Sequence, residues 1–112
     1  MRSLWLAPLM LATVAAGAGG DNTDAYALAW STAEFAEIAC PGARADDAAL
    51  ALLKRAAGLD GDESASMRTA LARDWRILSA GYEAKGAAAW CDGAIAMFGP
   101  KGEVAPGLIV AR

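Results

Sequence analysis

Cys40 and Cys91 are the residues of this chain best suited to covalent chemistry, and they are its only cysteines. In an oxidising compartment an even cysteine count reads as a bridge, and two cysteines allow a single intramolecular pairing. A redox pair or a metal pair would be the alternatives. The spacing is far from Cys-x-x-Cys, and the chain has no histidine to complete a metal site. A disulfide between Cys40 and Cys91 is therefore expected, with no metal and no cofactor.

The lack of histidine also removes Ser-His-Asp and Cys-His nucleophiles. Paired carboxylates remain as acid–base candidates. Glu34 and Glu37 stand three apart in a helical segment, and Asp60 and Glu63 three apart in a connecting loop. Asp46-Asp47 and Asp60-Gly61-Asp62-Glu63 form acidic clusters, but the second lacks the length and closing glutamate of an EF-hand calcium loop. Helix capping and a solvated loop account for both more simply. Arg68, Arg73 and Arg76 could hold an anion, since Arg73 and Arg76 share a helical face with Thr69. A solvated face paired with nearby acids is again the simpler reading. No Gly-x-Gly-x-x-Gly or Walker pattern is present. The expectation is a protein with no catalytic residue, not an enzyme.

The elements that position these residues are helical. The chain is rich in Ala and Leu, poor in β-branched residues and without period-two alternation. An all-α fold is expected, a small four-helix domain stapled by one disulfide. The first helix is drawn from about 23 to 39, capped by Asn22 or Thr23 and ended by Cys40-Pro41-Gly42. Its core face is read as Leu28, Phe35, Ile38 and Ala39, with Tyr26, Trp30 and Ala33 on a neighbouring face. The second runs from about 47 to 57, with Asp46 as N-cap, a Leu50–Leu53–Ala57 stripe and Gly58 at C′. The third, from about 64 to 85, has the clearest stripe, Met67, Leu71, Trp75, Leu78 and Tyr82. Asp62 or Ser64 caps it, and Gly81 would permit a close crossing. The fourth, from about 87 to 98, gathers Trp90, Cys91, Ala94, Ile95 and Phe98 on one side. The tail, 103–112, carries Leu108-Ile109-Val110, a short strand or a strap over the core. Trp30, Trp75 and Trp90 are expected to share an aromatic core. The bridge would then tie the end of the first helix to the start of the fourth.

Residues 1–18 read as a signal peptide: Met1-Arg2-Ser3, an apolar run from Leu4 to Ala16, then small residues through Gly20. The run is short for a membrane span, which needs about 20 apolar residues. Cleavage is expected after Ala18, with Ala16 and Gly20 as alternative sites, and a cut at Ala18 would leave 19–112 as a single periplasmic or secreted domain with no stable membrane anchor. Loss of Arg2 would leave nine basic against thirteen acidic groups. That balance disfavours nucleic acid and anionic membrane surfaces. The charge is uneven. Residues 19–66 hold nine acids and three bases, and 67–112 hold four acids and six bases, a split suited to intramolecular pairing.

Ala89-Trp90-Cys91-Asp92-Gly93, continuing into Phe98-Gly99-Pro100-Lys101-Gly102 and the closing Leu108-Ile109, resembles the C-terminal part of small uncharacterised two-cysteine secreted helical proteins of alphaproteobacteria. An aromatic-Cys pair there answers an earlier cysteine at a helix end, here Cys40. The layout of Cys40 and Cys91 also resembles the HdeA-type periplasmic acid-stress chaperones. That second resemblance implies dimer dissociation in acid and binding of unfolding clients. Carboxylates would be the triggers, because no histidine is present to titrate near neutrality. The function expected first is contact with a protein partner; an acid-activated holdase and a small-ligand binder are the alternatives.

Overall fold

The computed structural model describes residues 18–59 and 64–112. Apart from Ala18, the signal-peptide segment lies outside the described residues, as do Asp60, Asp62 and Glu63. Among the described residues there are four helices: α1 (Ala18–Ala39), α2 (Asp47–Ala56), α3 (Ala65–Lys85) and α4 (Ala87–Phe98). Two three-residue strands accompany them, β1 (Ala43–Ala45) and β2 (Ile109–Ala111). The fold is thus mainly helical, as the sequence predicts, with a small antiparallel ribbon added. None of the helices among the described residues is long and apolar enough to cross a membrane.

The ends of α2 and α3 follow local chemistry. The Asp46 carboxylate accepts from the Ala49 amide at 3.1 Å, and the Ser64 hydroxyl accepts from Met67 at 3.2 Å. Each satisfies an amide that the first helical turn cannot pair. Helix α2 stops at Ala56, and Gly58 follows at φ +76°, a left-handed turn that glycine adopts without steric cost. Helix α1 begins at Ala18, five residues before the expected start, so Gly19 and Gly20 are helical.

The buried face of α1 differs from expectation. Ile38 is 77 % exposed and Leu28 43 %, whereas Ala27, Ala29, Ala33 and Ala36 are buried. The physical reason is its position. Helix α1 packs against α2, α3, α4 and both strands, so it is surrounded rather than laid on one side. A helix enclosed on several sides has no single apolar stripe, and alanines let its neighbours approach closely. Two polar side chains are buried with them, Ser31 and Thr32; the Thr32 hydroxyl donates to the Leu28 carbonyl at 2.7 Å.

Helix α3 buries Met67, Ala70, Asp74 and Leu78, while Leu71, Trp75 and Tyr82 are half-buried. Its stripe is therefore real but rotated toward Ala70 and Asp74. On α4 the buried set is Trp90, Cys91, Ala94 and Phe98; Ile95 lies 43 % exposed, outside the expected cluster. Trp90 lies over Gly81, where an added Cβ would meet its indole at 3.8 Å, an ordinary contact, so the α3–α4 approach does not require glycine there.

The aromatic core has a different hub from the one expected. Phe35 lies 5.2 Å from Trp75, 5.6 Å from Tyr82 and 4.9 Å from Trp90, ring centre to ring centre, in edge-on or tilted contacts. Trp30 is outside that ring set and packs between the two halves of the core.

The tail is ordered onto the body. Ala43, Arg44 and Ala45 face Ala111, Val110 and Ile109 in antiparallel register. Leu108 and Ile109 are buried, and Arg112 donates from its guanidinium to the carbonyls of Glu37 and Ala43. The strand formed by β1 lies in a segment with no sequence pattern to announce it, since Ala-Arg-Ala has little strand propensity.

Candidate functional site

The two cysteines meet as expected. Cys40 and Cys91 form a disulfide with Cα atoms 5.8 Å apart, across a sequence separation of 51. It joins the residue after α1 to the second turn of α4 and encloses β1, α2 and α3. Both sulfurs belong to buried residues in the core, so the bridge is a structural tie.

Two of the carboxylate candidates have clear structural roles. Glu37 accepts from the Ala45 amide at 2.9 Å and thereby closes the free edge of β1. Asp46 caps α2. Glu34 is half-buried; burial first, then the negative charges of Asp47 and Glu37, raise its pKa above the ordinary carboxylate value, and a hydrogen bond with Asp47 adds to the shift. The Asp60–Glu63 pair lies outside the described residues.

Of the three candidate arginines, Arg73 is engaged by the fold and Arg76 is exposed. Arg73 donates Nε–H to Asp74 at 3.1 Å and pairs with Asp24 of α1 at 3.5 Å. The hydrogen bond and charge of Asp74 hold its guanidinium above its usual pKa, and Asp24 adds to this. Arg73 is thus already neutralised, and the Asp24–Arg73 pair joins the acidic first half of the chain to the more basic second half. Asp74 itself was not singled out by the sequence. It is buried, and its Oδ2 has no hydrogen-bond partner. A charged residue one position from an arginine on an exposed-looking helix gave no signal of burial.

A groove of about 400 Å³ lies between the first half of α1, the second half of α2 and the loop after α4. Tyr26, Leu28 and Ala29 form one wall, Leu53 and Ala56 another, and Val104 and Ala105 the third. Asn22 closes an end by donating its amide to the Ala57 carbonyl at 3.2 Å. Loop 99–107 is held in place by backbone bonds, among them Val104 to the Met97 carbonyl at 3.0 Å and Gly107 to the Gly99 carbonyl at 2.8 Å. Lys54 stands above the Tyr26 ring, its ammonium 6.0 Å from the ring centre. The size and apolar lining match small-ligand sites, which occupy about 300–1,000 Å³ with few polar groups.

Among the described residues there is no group of three or more Cys, Asp or Glu side chains placed to hold a metal ion. No family model matches the chain, nor does any curated protein or solved structure. Sequence reasoning missed the groove because its walls come from three distant segments. Leu28 and Val104 were its only trace, large apolar side chains that the fold leaves exposed.

Proposed function

We propose that this is an exported binding protein without catalytic activity, and that its working surface is the apolar groove between α1, α2 and loop 99–107. The groove is the observation that carries the reading: a half-open concavity of about 400 Å³ whose rim exposes Leu28 and Val104. Apolar side chains kept in water beside a cavity mark a surface that gains free energy when covered. An apolar group from another molecule, presented by a protein partner or carried by a small ligand, satisfies that surface. Glu37, Asp46 and Arg73, weighed as chemical groups, serve a strand edge, a cap and an ion pair instead, which supports binding over catalysis. Export to the periplasm or medium is supported by the Cys40–Cys91 bridge, since such bonds persist in oxidising compartments.

The test uses N-phenyl-1-naphthylamine, an uncharged apolar dye that brightens on leaving water. Wild-type protein should enhance its fluorescence saturably. Ala25→Trp, on an exposed part of the groove wall, should abolish the enhancement with the far-UV circular dichroism unchanged. A wild-type protein that leaves the dye dark would overturn the reading.

A further inference from the structure

Resting on that binding reading, we propose that the groove takes the hydrocarbon chain of a single-chain amphiphile with an anionic head, a fatty-acid carboxylate being the simplest case, and that Lys54 receives the head.

The tail half of the proposal follows from the walls. None of the lining residues is charged, and the polar ones are Asn22 and Tyr26. Asn22 already commits its amide N–H to Ala57. A flexible alkyl chain can fill such a half-open trough without leaving polar groups of its own unpaired. A peptide segment would bring backbone N–H and C=O groups, which cost free energy when buried without partners.

The head half follows from charge. Lys54 is half-buried, and its ammonium rests over the Tyr26 ring that forms part of the groove wall. Among the described residues no carboxylate pairs with it. Asp24, which precedes the lining residue Ala25, is engaged by Arg73 at 3.5 Å. A cation held over the wall of an apolar trough, with no carboxylate partner among the described residues, is complementary to an anionic head whose tail lies in the trough. Charge-assisted hydrogen bonds to an ammonium are about twice as strong as neutral ones, so the head decides between ligands of equal tail.

Isothermal titration of the intact, disulfide-bonded protein with three dodecyl probes below their micelle concentrations separates the two halves. The probes are laurate, dodecyl maltoside and dodecyltrimethylammonium. Laurate should bind most tightly. Lys54→Gln should weaken laurate by about tenfold, leaving the neutral probe unchanged, and Lys54→Arg should restore it. Ala25→Trp should remove binding of all three. Equal affinity for the three heads, a preference for the cationic probe, or laurate binding indifferent to Lys54→Gln would overturn the proposal. If the naphthylamine dye binds and laurate does not, this inference fails and the binding reading stands. If neither binds, both fail.

Discussion

Opening the Cys40–Cys91 bridge tests how much of the stability comes from restraining the unfolded chain. The sequence separation is 51, so the bond removes the closure entropy of a loop of that length. On the chain-entropy argument this amounts to about 4 kcal/mol at 25 °C. For a domain of this size each kcal/mol moves the melting temperature by about 4–8 °C, so the double substitution Cys40→Ala with Cys91→Ala should lower it by about 15–30 °C. Both positions are buried, and alanine preserves most of the packing there. Urea unfolding followed by tryptophan fluorescence provides the measurement. Midpoint and slope should both change: the midpoint should fall, and the slope should rise because the unfolded chain, no longer cross-linked, exposes more surface. The Phe35–Trp90 contact at 4.9 Å lies near the bridge and does not depend on it covalently, so α4 should remain docked in whatever fraction stays folded. A loss below about 1 kcal/mol with an unchanged slope would refute the entropic account and place the bond's effect elsewhere.

Three further outcomes follow from individual contacts. Ile109→Ala should cost about 2–5 kcal/mol by thermal or urea unfolding, because the side chain is 2 % exposed and its loss leaves a cavity under β2. Gly102→Ala should destabilise by about 1–3 kcal/mol, since the added Cβ would run into the Met97 carbonyl and lie 2.8 Å from the Phe98 nitrogen, both backbone groups that cannot swing aside. Glu34→Gln should stabilise near neutral pH and have little effect in acid. The raised native pKa of Glu34 means that its favourable contribution is full below the ordinary carboxylate value of 4.5 and is lost as pH rises through the higher folded value. Stability measured across that range should therefore flatten in the variant; an unchanged pH dependence would remove Glu34 as its source. The same sign means Glu34 opposes unfolding in acid, so an acid-triggered chaperone built on this chain would need other carboxylates as its trigger.

Much of the local structure is legible in the residues themselves. Asp46, Ser64 and Gly58 define helix ends through hydrogen bonds and backbone freedom that involve only near neighbours. The bridge is legible too, because two cysteines without histidine leave little else for them to do. Helix α4 runs over the expected residues for the same reason, being ended by Gly99-Pro100. Periodicity is less reliable where a helix has several neighbours. It misplaced the core face of α1, and it passed over Asp74, whose charge argued for solvent.

By itself, then, the sequence determined the helical class and most helix ends, which depend on residue type and short separations, and the covalent tie, which depends on there being only two cysteines. Tertiary structure decided which faces are buried, because burial depends on how many elements surround a helix. It also decided that the tail becomes a strand: Leu108 and Ile109 find their apolar environment against the body, and β1 offers backbone groups with little strand propensity of its own. The groove belongs wholly to that level. Asn22, Leu53 and Val104 come from segments far apart in the chain, and no local pattern could have shown that they enclose one cavity.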